Sequence, residues 1–407
     1  MNTSKQIAII GGGPAGLMAA EVLADAGHQV TIYDRMPTVG RKFLMAGRGG
    51  LNLTHSEPLE QFLTRYAEAS DWLAPSIRAF PPDSLRAWCE GLGQDTFVGS
   101  SGRVFPRTMK AAPLLRAWLT RLSQLKVAYA PRHNWQGFLG DALHFSDAQG
   151  KDVLVTPDAT LLTMGGASWP RLGSDGHWVD ILGTCGVAIA PLRPANGGFV
   201  VPWSDYIGTR FAGMPLKAVR LRHQGVSHQG DIMITQQGIE GGAVYALGSG
   251  LRASIEHSGT AFVELDLRPA MALQTLTKKM QLSRGRQSLS TYLHRCGFSP
   301  LAIGLLREVT PPAQLAVATP ALLAARLKAL PIRLTATTGL ARSISTAGGI
   351  TRDSVQDDFM LRAKPGVFVA GEMLDWEAPT GGYLLQGCFS TAVTAARGII
   401  AFCSGSS

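Results

Sequence analysis

The sequence predicts an α/β fold in which a Rossmann-like dinucleotide-binding domain is interrupted by an insertion of β-barrel-like plus helical type. Three observations predict it. An apolar strand, Ile7-Ala8-Ile9-Ile10, runs straight into Gly11-Gly12-Gly13-Pro14-Ala15-Gly16. A Gly- and β-rich stretch and then Leu-, Ala- and Arg-rich helices fill the middle of the chain. Near the C-terminus the first pattern returns as Val367-Phe368-Val369-Ala370-Gly371-Glu372.

Gly11, Gly13 and Gly16 have the G-x-G-x-x-G spacing, and each answers a steric demand of a pyrophosphate resting on a helix start. The first permits a tight turn, the second leaves room for phosphate against the backbone, and the third lets helix and strand pack closely. Pro14 is harmless in the first helical turn, where an amide N–H has no intrahelical partner. The helix dipole favours the phosphate charge, and Ala15 belongs to the same turn. Leu17, Ala20, Leu23 and Ala24 recur at helical spacing, Gly27 ends the helix, and Gln29 to Tyr33 reads as the second strand. It finishes at Asp34, 18 positions beyond Gly16, where the fold needs an acceptor for two ribose hydroxyls. Asp34 argues against a 2′-phosphate despite the adjacent Arg35, so FAD or NAD is favoured over NADP.

A chain of 407 residues suggests two or three domains, and 45% hydrophobic with 16% charged residues describes a folded globular protein. No apolar run reaches the roughly 18–20 residues that spanning a bilayer requires, and the N-terminus lacks a signal-peptide core. The expected location is cytoplasmic, with no membrane partner. Cys89, Cys185, Cys296, Cys388 and Cys403 are odd in number and form no C-x-x-C pair, and the nine histidines form no ligand motif. Neither disulfides nor a metal is expected. Residues 194–332 hold 14 Lys and Arg against 7 Asp and Glu, so +7 of the net +9 lies in the middle third. Solvated surface and a polyanionic partner are both compatible with that excess.

After Asp34 a loop from Pro37 to His55 carries Gly40, Gly47, Gly49 and Gly50 with Arg41, Lys42 and Arg48. Its glycines allow close backbone approach to a ligand, and its cations can neutralise diphosphate. Asn52 and Thr54 offer hydrogen bonds to a polar ring edge. Residues 57–93 read as short helices, Thr96 to Pro106 as strand around a Ser-Ser-Gly turn, and Lys110 to Lys126 as an amphipathic helix through Leu114, Leu115, Trp118 and Leu122. Three short strands near 127–130, 134–139 and 142–146, with Val153 to Val155, suggest a β-meander. Ala159 to Met164 then meets Gly165-Gly166, a second strand-to-glycine junction beside the same nucleotide.

Pro191 to Pro194 marks a boundary, giving residues 1–193 as the first part of the dinucleotide domain, 194–269 as a β-rich insertion, 270–332 as a helical one, and 333–407 as the returning part. There Gly371-Glu372 ends a strand, and Thr380-Gly381-Gly382-Tyr383-Leu384 opens the final helix, whose free N–H groups can stabilise negative charge on a reduced flavin. Glu372 and Asp375 suit ribityl hydroxyls or water near the phosphates.

Together these motifs resemble the BaiN/RdsA family of YhiN-like flavoproteins. The resemblance covers essentially the whole chain and rests on Gly11 to Gly16, Gly40-Arg41-Lys42-Phe43-Leu44, Gly102 to Pro106, Gly165 to Pro170, Ser345 to Gly349, Gly371 to Asp375 and Thr380 to Tyr383. It implies a two-dinucleotide-fold FAD flavoprotein, with non-covalent FAD held by the first and last motifs in a domain interrupted by barrel-like and helical domains. Many relatives have Arg-Cys-Asn where this chain has Gly50-Leu51-Asn52, so it resembles a subgroup lacking that cysteine.

The resemblance implies an FAD-dependent oxidoreductase reducing a conjugated C=C bond by hydride delivery from flavin N5, with uridine in large-subunit ribosomal RNA as one substrate. The basic insertion 194–332 would suit RNA. Hydride addition at uracil C6 needs a proton donor near C5, for which Tyr383, His55 and Cys388 are candidates. A small-molecule oxidoreductase or oxidase, and a non-catalytic flavin-containing RNA-binding factor, are the alternatives. Only one G-x-G-x-x-G is present, so NAD(P)H would act as a transiently stacking small-molecule reductant. Oligomeric state is not legible.

Overall fold

A computed structural model describes residues 4–46, 49–281 and 284–405. β1 (Gln6–Ile10) is buried beyond its first residue, and α1 (Pro14–Asp25) starts directly after the glycines. β2 (Gln29–Asp34) runs parallel to β1, with Gln6 to Ile10 opposite Gln29 to Tyr33. Next come α2 (Arg41–Ala46), β3 (Thr54–His55), α3 (Leu59–Leu63), α4 (Ser70–Ala79) and α5 (Pro82–Gly91). β4 (Thr96–Val98) and β5 (Arg103–Pro106) pair antiparallel, and β3 adds to β5. α6 (Ala111–Gln124) buries Leu114, Leu115, Trp118 and Leu122 on one face, as its period demands.

β6 (Ala128–Pro131) corrects one expectation. It does not open a meander but joins the parallel sheet beside β2, Thr31 opposite Ala128. The amphipathic α6 acts as the crossover that brings the chain back parallel. The antiparallel meander contains only β7 (Asn134–Leu139), β8 (Ala142–Ser146) and β9 (Asp152–Val155). β10 (Ala159–Leu162) returns to the far side of β1, followed by α7 (Trp178–Thr184) and β11 (Ile189–Ala195).

Contacts divide the chain into one unit of Met1–Arg193 with Ile344–Ser407 and another of Pro194–Ser343. The second contains β12 (Phe199–Val200), α8 (Asp205–Arg210), β13 (Pro215–His223), β14 (Val226–Thr235), β15 (Gly238–Glu240), α9 (Gly242–Tyr245), α10 (Gly248–Ser258) and β16 (Ala261–Asp266). Five helices follow, α11 (Leu273–Lys279), α12 (Leu289–Arg295), α13 (Pro300–Val309), α14 (Pro312–Ala316) and α15 (Pro320–Lys328), then β17 (Leu330–Leu334) and β18 (Ala336–Thr337). The seven strands form one sheet ordered β17-β16-β13-β14-β15-β12-β18. A division at 269/270 with an end at 332 is therefore replaced by one unit ending at Ser343. The physical reason is β17, which carries the chain from the helices back to β16 and buries Ile332 and Leu334 in the same core as helical Leu301, Leu305 and Leu323.

In the first unit, β19 (Ser345–Ile350) is wholly buried beside β11, and β20 (Val367–Val369) pairs parallel with β10. The parallel sheet thus reads β20-β10-β1-β2-β6, with both ends of the chain in it. α16 (Tyr383–Gly405) is long and apolar enough, by length and composition, to cross a membrane, although the sequence shows no unbroken apolar run. Its packing is that of a core helix. It lies against α1 and α4, and its buried Gln386 and Ser390 both donate to the Phe80 carbonyl, at 2.7 and 2.8 Å.

Candidate active site

The glycines after β1 are each required for a different reason. Gly11 has φ +104°, and a Cβ there would lie 2.5 Å from the Thr163 carbonyl oxygen. A Cβ on Gly16 would lie 2.1 Å from the Gly11 oxygen, so Gly16 is the close-packing position. At Gly13 a Cβ meets only the Thr163 oxygen at 4.0 Å; the space beside the backbone is open, as a phosphate cradle requires. Asp34 accepts from the Gly12 and Met36 N–H groups, both at 2.7 Å. Burial raises its pKa, against the pull of those hydrogen bonds and of Arg35 and Arg41.

These residues open onto a cavity. Gly11, Gly13, Pro14, Ala15 and Asp34 line it together with Arg35, Arg41, Lys42, Gly165, Glu372 and Cys388. Arg35 is ion-paired with Asp175. Arg41 donates to Thr38 at 3.2 Å, while its buried Nε has no partner among the described residues. His133, Asn134, Trp135 and Trp178 complete the lining. They lie beyond β6 and β10, and only the return of those strands to the sheet brings them here.

A second cavity shares Pro14, Lys42, Glu372 and Cys388 with the first. At the junction Lys42 Nζ donates to Ser168 Oγ at 2.6 Å and to Glu372 Oε2 at 2.7 Å. Glu372 also accepts from the Thr346 N–H at 2.9 Å, so one carboxylate ties α2, the turn after β10 and β19 together. Asn52, Gly381, Gly382 and Leu384 line this second space, as do Phe43, Arg103 and Trp169. The Asn52 Oδ1 is buried without a partner among the described residues. Gly382 has φ +98°, and a Cβ would meet the Thr54 backbone at 2.4 Å, so the turn opening α16 sits directly on β3.

Of the candidate proton donors, only Cys388 lines the cavities. Burial, with Glu372 nearby, pushes its thiol up to about 12, so it stays protonated and is no nucleophile at neutral pH. Tyr383 and His55 line neither space. The Tyr383 hydroxyl donates to Glu57 Oε1 at 2.6 Å, and burial together with that carboxylate raises its pKa strongly. Burial works against the Glu57 carboxylate, but hydrogen bonds from Arg65 and Tyr383 outweigh it and hold its pKa below the usual range. His55 stacks on Tyr383 with centroids 5.5 Å apart. Its Nδ1 accepts from the Glu57 N–H at 3.1 Å, which leaves Nε2 to donate to the Ser101 carbonyl at 3.0 Å. This cluster braces the cavity from outside.

The remaining expected residues are structural neighbours of the cavities. Gly166 packs on Thr346 and Gly371 on Ala15, where added Cβ atoms would approach to 2.3 and 3.0 Å. Gly50 has φ +109° against Met109, and Leu51 is fully buried. Gly47 and Arg48 lie outside the described residues. Asp375 lines neither cavity; its N–H donates to Ile350 at 3.0 Å. Phe43, Arg103, Trp169, Ile344 and Leu385 line the second cavity without having been among the expected residues. Trp169 has φ +62°, rare for a bulky side chain, and no local sequence pattern signals it.

The residues present fit an adenine dinucleotide. Gly13 leaves open space at a helix start, Asp34 keeps free acceptor capacity, and Arg41 Nε and Asn52 Oδ1 are unsatisfied at the walls of the two cavities. Fold and site together define an FAD-dependent oxidoreductase. Residues 5–398 match the family described as the HI0933-like protein Rossmann domain, and the chain belongs to that family. It is 26% identical to the 3-dehydro-bile acid delta(4,6)-reductase of Clostridium scindens, over 96% of this chain and 98% of the relative. It is 24% identical to the ribosomal RNA dihydrouridine synthase of Escherichia coli, over 97% of both chains. Among solved structures, 3-ketosteroid delta1-dehydrogenase from Sterolibacterium denitrificans superposes with a TM-score of 0.54 at 13% identity, covering 98% of this chain and all of that one, which shows the shared fold.

When bound, FAD supplies the two-electron chemistry that no side chain here provides. Gly11 to Gly16, Asp34 and Arg41 are the residues that would hold the dinucleotide, while Lys42 and Glu372 fix the junction beside a largely apolar second cavity.

Proposed function

We propose that this enzyme saturates a C=C bond conjugated to a carbonyl, and that its acceptor is a uridine of large-subunit ribosomal RNA. Uridine gains two electrons and two protons on becoming dihydrouridine, with NAD(P)H as the ultimate reductant and a cytoplasmic setting. The whole-length relatives named above as a delta(4,6)-reductase and a dihydrouridine synthase support the reaction class.

The observation that carries the RNA half is a charge asymmetry sharper than the bulk count. Residues 267–343 contain 11 Lys and Arg and a single acid, Glu308. Lys278, Lys279, Arg284, Arg286, Arg307 and Arg333 are exposed. Such a surface attracts phosphate, and binding through it weakens steeply with salt.

A lipophilic small-molecule enone is the second reading, favoured by the apolar walls Phe43, Trp169, Ile344, Leu384 and Leu385 of the second cavity. Deleting the gene and mapping dihydrouridine in ribosomal RNA decides between them. The RNA reading expects one position to revert to uridine and to be restored by the gene supplied in trans. An unchanged map rejects it.

A further inference from the structure

Arg103 is the first residue of β5, and its exposed side chain lines the second cavity. The other cation there, Lys42, is committed to Glu372 and Ser168. Among the described residues the Arg103 guanidinium has no hydrogen bond or ion pair, whereas the strand beneath it is tightly held. His55 Nε2 donates to the Ser101 carbonyl, and His55 lies opposite Arg103 in the β3–β5 ladder. The Leu53 N–H donates to the Val104 carbonyl at 2.9 Å. Gly102 has φ +78°, and a Cβ there would come within 2.5 Å of the His55 ring, so the turn closes on the imidazole. A firmly mounted base therefore carries a free donor group into a space walled by Phe43, Trp169, Leu384 and Leu385.

An unpaired guanidinium facing an apolar cavity invites an oxygen that bears or develops negative charge. Guanidinium stays protonated and offers its N–H donors in a planar fork, and its attraction for such an oxygen is stronger where water is scarce. We propose that Arg103 recognises the carbonyl oxygen of the acceptor, restricting the second cavity to substrates whose reducible C=C is conjugated to that carbonyl. This rests on the conjugated-bond reading above. During reduction the β-carbon receives an electron pair and one proton from the dihydroflavin. The C=C π pair moves toward the α-carbon and the carbonyl oxygen, and the α-carbon then takes a second proton drawn from water. Arg103 donates hydrogen bonds to the charged oxygen and transfers no proton. His55, placed among the proton donors by sequence, becomes a positioning residue for the turn that presents Arg103.

The test compares the FAD-loaded full chain with Arg103→Gln and Arg103→Lys at matched FAD content and melting temperature. Two readouts are used: perturbation of the oxidised flavin spectrum by 4-hydroxybenzaldehyde, whose phenolate mimics the charged oxygen and which has no enone C=C to saturate, and reoxidation of photoreduced enzyme by 2-cyclohexen-1-one. Arg103→Gln should weaken phenolate binding at least about tenfold and slow reoxidation about 100-fold, the scale for loss of one oxyanion donor, with Arg103→Lys recovering part of both. Arg103→Gln matching the native enzyme in both readouts overturns the assignment. Arg103-dependent phenolate binding without any reoxidation by the enone upholds the recognition role and rejects a small-molecule enone as the acceptor. Reoxidation indifferent to Arg103 does the reverse.

Discussion

Gly16→Ala is expected to yield colourless, less stable protein, whereas Gly13→Ala folds normally and loses only its grip on FAD. The contrast comes from what each added methyl meets. At position 16 it would lie 2.1 Å from the Gly11 oxygen and 2.7 Å from Thr163 Oγ1, with backbone on one side and the residue that follows β10 on the other. Neither can retreat without separating α1 from β1, so the expected loss is about 3 kcal/mol, or roughly 3–6 °C in melting temperature. At position 13 the nearest atom is 4.0 Å away and the methyl enters the first cavity instead. The melting temperature of the FAD-free protein should stay at the native value while FAD affinity falls about 100-fold, equivalent to about 2.7 kcal/mol. Thermal unfolding with and without FAD, together with flavin content after purification, reads both effects. Equal behaviour of the two variants would show that the glycines do not divide into packing and cradle positions.

Glu372→Gln is expected to destabilise the protein by about 3 kcal/mol and to reduce FAD retention. Its side chain is 12% exposed and that of Lys42 27%, so removing the carboxylate charge leaves the ammonium largely desolvated and without its counter-ion. The Thr346 N–H keeps an acceptor in the amide oxygen, which isolates the charge from the hydrogen bond. Lys42→Met alone should be similarly harmful, and the double variant should lose about 1–2 kcal/mol less than the two single losses added together. Urea unfolding of the four proteins in that cycle measures the coupling. Strict additivity would mean that the pair does not hold the junction between the cavities.

Much of the nucleotide half could be read directly because its determinants are local. The glycine spacing, Pro14 and the terminal Asp34 all lie within one strand-helix-strand unit, and each has a steric or electrostatic reason that needs no tertiary knowledge. The same holds for α6, whose period of three and four settles its buried face. The rest depended on contacts between distant segments. An apolar stretch such as 127–130 looks alike in a meander and in a parallel sheet, so the partner of β6 was beyond reach. Lys42 and Glu372 are 330 positions apart, and nothing near either announces the other. Tyr383 was misplaced by helical rotation. Successive side chains on α16 point about 100° apart, so Leu384, Leu385 and Cys388 face the cavity while Tyr383 turns to Glu57. Arg103 carries no local signal because its cavity is completed by Trp169, Ile344 and Gly381, which lie far from it in the sequence.

The central claim is that the two ends of this chain build a single FAD site. Titrating FAD into deflavinated full-length protein, followed by the flavin spectrum, tests it most directly. One equivalent per chain should bind, and Gly13→Ala and Gly382→Ala, changed at opposite ends of the sequence, should both weaken that same event. Protein that takes up no FAD, or in which Gly382→Ala folds and binds it as tightly as the native chain, would contradict the account.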